Sequence, residues 1–284
     1  MTNGVSVRFV DGGYCRQNEG FVGGPCGNVR DFHAMFVHGI HPEHGEFLID
    51  TGYSPAFFDA TRQFPERLLR RLTPVPVEQD FCREDYWRAH GIDVKNIRYV
   101  FISHFHPDHI AGLGCFPKAT FIYRQECLAM LRQMSRMRQV FHGFLEGLIP
   151  PDFDRRSFGI AEEKFVCHPG NVVSTYDVWG DQSIVLLDLP GHAIGHTGML
   201  IQDVRGPILY AVDAFWDADD DGIPYSLPWI TRSLIHSFSQ YRETVQKIMT
   251  LSHELSIKPV ACHGRVTTRF RREFTDNSLF KIAP

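Results

Sequence analysis

The chain lacks any apolar run that approaches the roughly 20 residues of a membrane-spanning helix. Residues 1–4 open directly into a short strand pattern, without the basic stretch and apolar core of a secretion signal. We therefore expect no membrane segment and a cytoplasmic location.

Cysteine is present but is not arranged in pairs. An odd number of cysteines without paired spacing argues against a disulfide framework and indicates reduced thiols, as in the cytoplasm. The seven positions are Cys15, Cys26, Cys82, Cys115, Cys127, Cys167 and Cys262.

An excess of positive charge is also missing. The formal net charge is -4 and the isoelectric point is near 6.4, so composition gives no support for a nucleic acid partner. The hydrophobic share of 43% is ample for the core of one large domain or two small ones. One basic cluster occurs near the C-terminus, and we interpret it as a solvated helix face: Arg265, Arg269, Arg271 and Arg272.

Potential metal ligands are concentrated directly after a predicted buried strand at residues 98–102. His104 and His106 project to the same side of an extended segment, because side chains alternate along it. The following proline keeps His106 extended and suits the first turn of a helix, which turns Asp108 and His109 back toward the same cavity. Three imidazoles and a carboxylate suit Zn²⁺, with Fe²⁺ or Mn²⁺ as alternatives.

Further polar side chains stand at the ends of other predicted strands. Asp50 follows the strand at 46–49, where it can orient a ligand loop or serve as a simple turn aspartate. His192 follows the strand at 183–189, Asp213 that at 207–212, and His263 that at 258–262. His196 lies in the turn after His192, where a hydrogen bond that stabilises the turn and a role in the site are both open.

This series of motifs resembles the metallo-β-lactamase superfamily of hydrolases, and it is most similar to the N-acyl homoserine lactone lactonase-like branch. The resemblance implies an α/β fold, the αβ/βα four-layer sandwich of two mixed β-sheets flanked by helices. We expect one such domain over residues 1–284. The pattern predicts a helix at 125–140, and residues 141–164 after it are irregular. We predict a lid-like insertion over the site around residues 127–165.

The resemblance also implies a dinuclear metal site with a metal-bridged hydroxide as the nucleophile. One divalent ion, with Zn²⁺ as the first choice, is assigned to His104, His106 and His192. The other is assigned to Asp108, His109 and His263, with Asp213 shared between them. Asp108 and Asp213 are the candidates for passing a proton to the leaving group.

The sequence departs from the lactonase pattern at Trp216. Those lactonases carry a tyrosine three residues after the bridging aspartate, whereas an indole donates one hydrogen bond and cannot shuttle a proton. Together with Asp50 and His196, Trp216 is a candidate for orienting the ligands or lining the substrate pocket. Opening of a lactone or cleavage of a carboxylic ester is the predicted reaction.

Several other functions remain open for the same metal ligands. They are a thioesterase resembling glyoxalase II, a phosphodiesterase of the RNase Z kind, an iron-dependent oxidoreductase and a regulatory protein that retains its metals. The predicted partner is a small apolar ester or lactone. An apolar helical stripe runs from Cys127 to Phe141. With Phe215, Trp216, Pro228 and Trp229 it predicts an apolar pocket, ordinary core or the contact of a homodimer.

Overall fold

The computed structural model describes residues 4–219 and 222–264, and the statements below concern this part of the chain. The strands are β1 Ser6–Asn18, β2 Val29–His41, β3 Gly45–Ile49, β4 Tyr99–Phe101, β5 Thr120–Arg124, β6 Ser157–Ile160, β7 Thr175–Asp177, β8 Ile184–Asp188, β9 Thr197–Asp203, β10 Gly206–Val212 and β11 Pro259–Ala261. The α-helices are α1 Ala56–Ala60, α2 Arg67–Leu72, α3 Tyr86–Ala89, α4 Pro107–Ile110, α5 Gln125–Arg132, α6 Arg136–Phe141, α7 Phe153–Arg156, α8 Trp229–Arg232 and α9 Phe238–Leu255.

The strands form two mixed sheets. The first has the order β1-β2-β3-β4-β5-β6 and is antiparallel as far as β3 and parallel from there on. The second has the order β11-β10-β9-β8-β7 and is antiparallel except for the parallel pair β10 and β11.

Apolar side chains fill three layers of core. Phe47 and Ile49 of β3 face the second sheet, where they share a cluster with Tyr210. Leu48 lies on the opposite face of β3 and packs in a cluster that includes residues of α1 and α5, as the alternation along a strand requires. Ile248 of α9 covers the outer face of the second sheet. The predicted four-layer sandwich is therefore confirmed.

The direction of the strands brings five chain segments to one edge of the sandwich. Strands β3 and β4 are parallel neighbours, and β8 and β10 share a direction because each is antiparallel to β9. Strand β11 runs parallel to β10. The carboxyl ends of these five strands carry all the loops in which the sequence predicts ligands, and such ends are the usual place for a site in α/β proteins.

Two predicted elements are wrong in extent. The sequence places the end of the first strand at residue 10, but β1 continues to Asn18 through a bulge between Asp11 and Tyr14. The sequence pattern predicts one helix at 77–90, but the structure has a 3-10 turn, Asp80–Cys82, and the short helix α3 there. Gln79 forms two hydrogen bonds of 2.7 Å with the backbone of Tyr14, so tertiary contacts outweigh the helical periodicity here.

The predicted insertion at 127–165 is built mainly of short helices. Residues 157–160 form β6, which pairs with β5, so this part belongs to the sheet rather than to a lid. The long helix predicted at 125–140 is divided into α5 and α6. A lid function, and one domain over the whole chain, stay predictions.

Three remaining predictions concern the chain as a whole. All seven cysteines are free thiols. Within the described ranges, every helix is too short or too polar to cross a membrane. The basic cluster predicted near the C-terminus lies outside the described residues.

Candidate metal centre

The first group of ligand atoms comes from three loops at the carboxyl edge. The ligand atoms of His104, His106, His192 and Asp213 all lie within 4.8 Å of one another. His104 and His106 follow β4, His192 follows β8, and Asp213 follows β10. The structure therefore brings together residues separated by up to about a hundred positions, as the strand-end pattern predicted.

The second group contains His109, His263 and the same Asp213. The Oδ2 atom of Asp213 lies 3.6 Å from Nε2 of His109, 3.3 Å from Nε2 of His192 and 3.3 Å from Nε2 of His263. The Oδ2 atom of Asp108 lies 3.4 Å from Nε2 of His263. Five of the other six predicted ligands therefore have a ligand atom within 4.8 Å of Asp213, and Asp108 lies next to two of these five, His109 and His263.

Cys262 also has its sulfur within 4.8 Å of the second group. Its thiol, however, donates a hydrogen bond to the backbone carbonyl of Met35 at 3.3 Å and packs in the core between the sheets. Cys262 is therefore a buried core residue beneath the site.

Several buried polar atoms of the two groups have no hydrogen-bond partner in the described structure. They are Nε2 of His104, Nε2 of His109, Nδ1 of His192 and Oδ1 of Asp213. Buried polar atoms are nearly always paired, and imidazole nitrogens with carboxylate oxygens are the ligands that zinc and iron use. The residues present therefore fit divalent metal ions.

Burial lowers the pKa of the three histidines of the first group, which leaves them unprotonated and able to bind a metal ion. Burial and the neighbouring His109 lower the pKa of His104 well below its usual value, and burial lowers the pKa of His106 to about 4. Burial also places the pKa of His192 well below its usual value. These imidazoles are neutral at pH 7, so each has a lone pair available for a cation.

The second group holds protons more strongly. Burial opposes a charge on His109, but the carboxylates of Asp108, Asp50 and Asp213 together raise its pKa well above the usual value. Burial alone would raise the pKa of Asp213, yet His263 and His109 hold it well below the usual range. A metal ion must displace these protons, so we expect metal affinity to fall as the pH falls.

Asp50 orients His109 through the ring nitrogen that points away from the site. Its Oδ1 atom accepts a hydrogen bond from the backbone N–H of Ser103 at 2.9 Å, and its Oδ2 atom accepts one from the Ser103 hydroxyl at 2.7 Å. The same Oδ2 lies 2.7 Å from Nδ1 of His109, which directs Nε2 of that ring to the site. Of the two sequence interpretations, this geometry favours the orienting role.

Two partners of the ligands were not found from the sequence. The Ser103 hydroxyl donates to Asp50, so it accepts from Nδ1 of His104 at 3.0 Å and leaves Nε2 of that ring free. Nδ1 of His263 donates to the backbone carbonyl of His33 at 2.8 Å. A carbonyl on β2 has no sequence signature, whereas a hydroxyl directly before the first histidine is a usable signal.

His196 stabilises two loops of the site. Its Nδ1 atom donates to the carbonyl of Leu189 at 2.8 Å, and its Nε2 atom accepts from the backbone N–H of Asp213 at 3.2 Å. Both ring nitrogens are therefore engaged, which favours the hydrogen-bonding interpretation over a direct role in binding substrate.

Replacing His196 by alanine is expected to lower the free energy of unfolding by about 2–4 kcal/mol, because the change removes two buried hydrogen bonds and opens a cavity. Urea unfolding of the metal-free protein measures the change. His253→Ala, at an exposed position of α9, is the control and should have little effect. Equal stability of the two variants would contradict this role of His196.

Gly143 lies directly against the ring of His106. Its φ of 65° is rarely adopted by other residues, and a Cβ atom here would lie 2.6 Å from Cδ2 of His106. The loop after α6 therefore packs against the ring of His106. The sequence pattern did not predict this contact.

Replacing Gly143 by alanine is expected to displace His106 and to weaken metal binding by about tenfold or more, since small displacements in such sites have large effects. Competition with a chromogenic chelator measures the affinity. Gly147→Ala is the matched control, because a Cβ at Gly147 would meet only Ala60 at the ordinary distance of 3.4 Å. The account is contradicted if both variants bind metal like the parent protein.

Trp216 contacts the centre through both parts of its side chain. Its Nε1–H donates to Oδ2 of Asp213 at 3.3 Å, and its ring meets His192 edge to face with centroids 5.4 Å apart. The indole therefore supports the shared carboxylate, and its one donor is already used.

Residues 33–255 match the family described as the Metallo-beta-lactamase superfamily, so the chain belongs to this family. Within the superfamily it falls in the lactonase-like branch. It is 29% identical over 230 residues to an N-acyl homoserine lactonase, AttM, of Azorhizobium caulinodans, with 78% of each chain covered. It is 30% identical over 224 residues to AttM of Rhizobium johnstonii, again with 78% of each chain covered.

Solved structures show the same fold. A B. thuringiensis AiiA mutant with N-decanoyl-L-homoserine bound at its active site has a TM-score of 0.69 at 16% identity, with 95% of this chain and 96% of that chain covered. AidC, described as a dizinc quorum-quenching lactonase in complex with a product, has a TM-score of 0.61 at 13% identity. The coverage is 93% of this chain and 90% of AidC.

Proposed function

We propose that the chain is a dinuclear metal-dependent hydrolase that opens lactones or cleaves carboxylic esters. The observation that carries this proposal is the position of Asp213, whose Oδ2 atom lies 3.3 Å from a histidine of each ligand group. The names of the relatives from Azorhizobium and Rhizobium support a lactone as the substrate.

The two groups of ligand atoms define which residues would hold each ion. His104, His106 and His192 would hold one, Asp108, His109 and His263 the other, and Asp213 would be shared. Zn²⁺ is the first choice for this ligand set, with Fe²⁺ or Mn²⁺ as alternatives. When bound, two divalent ions supply Lewis acidity and lower the pKa of water toward neutrality.

Of the two carboxylates considered for proton transfer, Asp108 is the better placed. Its side chain is 16% exposed, whereas that of Asp213 is 2% exposed. Asp213 also accepts the indole hydrogen bond of Trp216. We therefore assign the exchange of a proton with the substrate to Asp108 and the holding of the centre to Asp213.

Exposed apolar side chains lie on two segments beside the centre. The backbone N–H of His236 donates to the carbonyl of His192 at 3.1 Å, and the rings of His236 and His142 have centroids 5.7 Å apart. The exposed apolar residues on these segments are Phe141, Trp229, Ile230 and Leu234. We call these four exposed residues the apolar rim. We infer that the apolar rim contacts the apolar part of the substrate, since exposed apolar patches commonly mark binding surfaces.

The predicted helical stripe is only partly on this rim. Phe141 is 64% exposed and Met130 is 47% exposed, whereas Cys127 and Leu131 are buried in the core. The stripe therefore divides between core and surface. A homodimer contact through the exposed residues stays a prediction.

A substrate panel tests the proposed function. The metal-loaded protein is given acyl homoserine lactones, simple lactones, aryl esters, an acyl thioester and a phosphodiester. We expect kcat/KM for the best lactone or ester to exceed that for the thioester and the phosphodiester, and chelation to abolish turnover. Turnover of the phosphodiester or thioester alone would contradict the proposal.

A further inference from the structure

Two histidines outside both ligand groups lie next to each other beside the metal centre. The rings of His142 and His236 have centroids 5.7 Å apart and planes inclined by 53°. His142 is partly buried and His236 is exposed. In the part of the chain that the structure describes, neither ring forms a hydrogen bond or an ion pair with another residue. Their ring nitrogens are therefore available to a ligand from solution.

Both histidines belong to segments that contact predicted ligands. His142 directly follows α6, and the next residue, Gly143, lies against the ring of His106. On the other side, the backbone N–H of His236 donates to the carbonyl of His192 at 3.1 Å. The pair is therefore anchored to two residues of the first ligand group, and it joins the two segments that carry the apolar rim.

The separation of the two rings suits a shared metal ion. Among the histidine pairs that are predicted to share an ion, the ring centroids are 4.5 Å apart for His104 and His106 and 6.0 Å apart for His109 and His263. The separation of 5.7 Å lies within this range. Two imidazole nitrogens at about 2.0–2.1 Å from one tetrahedral zinc ion also place the ring centroids about 5 to 6 Å apart.

Another close pair of histidines shows that proximity alone does not make a site. The rings of His41 and His44 have centroids 4.6 Å apart. However, Nδ1 of His41 accepts from the backbone N–H of His44 at 3.1 Å, and its Nε2 lies 2.8 Å from Oδ2 of Asp181. Both nitrogens of His41 are thus used within the fold. The free nitrogens distinguish the pair of His142 and His236.

We propose that His142 and His236 together bind a further divalent transition-metal ion, with Zn²⁺ as the first choice, in addition to the ions of the centre. Imidazole is the commonest metal ligand among side chains and suits zinc, copper and nickel. The described groups of three or more possible ligands do not include this pair, so water must complete the coordination and the ion binds less tightly than those of the centre.

An ion on this pair has a consequence for hydrolysis. It would stand beside the apolar rim and in front of the first ligand group, where it hinders the approach of substrate. We therefore expect excess zinc to inhibit the protein. The binding of the further ion is independent of the proposed hydrolase function, whereas the inhibition rests on it.

Zinc titration of the full chain tests both parts. The metal-free protein is dialysed against rising concentrations of buffered Zn²⁺, and bound zinc per chain and turnover of the best lactone or ester are measured at each step. We expect two ions to bind first and a third at higher zinc, with turnover falling as the third binds. His142→Ala and, separately, His236→Ala should lose the third ion and keep two. Half-inhibition of each variant, relative to its own maximum, should need at least about tenfold more zinc.

His168→Ala is the control, because His168 is exposed and lies outside the pair, and it should keep all three ions. A parent protein that binds no more than two ions, or variants of both histidines that keep the third, would overturn the site. Loss of the third ion with unchanged zinc inhibition would overturn its inhibitory role. A parent protein that binds the third ion and hydrolyses no lactone or ester would overturn the proposed function and leave the site standing.

Discussion

Replacing His106 by alanine is expected to abolish hydrolysis and to lower the metal content per chain. Nδ1 of His106 lies 3.1 Å from Nε2 of His192, so the change removes one atom of a closely spaced ligand group. Even partners behind metal ligands contribute 10- to 100-fold in affinity or activity, so we expect a loss of more than about 100-fold. Metal analysis by mass spectrometry and turnover of the best ester measure the effect.

The control for this variant is His168→Ala. His168 is exposed and lies outside both ligand groups, so its replacement should change neither metal content nor turnover. Unchanged activity in His106→Ala would contradict the assignment of His106 to the metal centre.

Replacing Asp50 by asparagine is expected to have the second largest effect. The carboxylate accepts two hydrogen bonds from Ser103 and faces Nδ1 of His109, whereas an amide directs a donor at one of these groups. We expect metal affinity to fall by about 10- to 100-fold. The free energy of unfolding should fall by about 3–5 kcal/mol, as for other broken buried pairs.

Metal titration and urea unfolding measure these two effects separately. Asp59→Asn, at an exposed carboxylate paired with Arg62, is the matched control and should change the free energy of unfolding by less than about 1 kcal/mol. An Asp50→Asn variant that binds metal as tightly as the parent would show that His109 does not depend on Asp50 for its orientation.

The ligand positions were predictable because each follows a recognisable strand. His192, Asp213 and His263 stand directly after apolar runs that form β8, β10 and β11, and the two further ligand pairs follow β4. The order of such motifs, together with the resemblance to a superfamily, was sufficient to predict both the fold and the convergence of the side chains.

The supporting contacts were not predictable from the same pattern. Gly143 and the backbone carbonyl of His33 contact predicted ligands from segments distant in sequence. Their positions depend on how the loop after α6 and strand β2 pack beside the metal loops, which hydrophobic periodicity does not encode. The helix expected at 77–90 failed for the same reason, since Gln79 is held by β1.

The most direct test of the account is metal stoichiometry measured together with hydrolysis. Metal is removed by chelation and then returned in steps to the full-length protein, while bound metal per chain and turnover of the best lactone or ester are followed. We predict that hydrolysis reaches its maximum at two divalent ions per chain. Saturation at a single iron without hydrolysis of any lactone or ester would contradict the account.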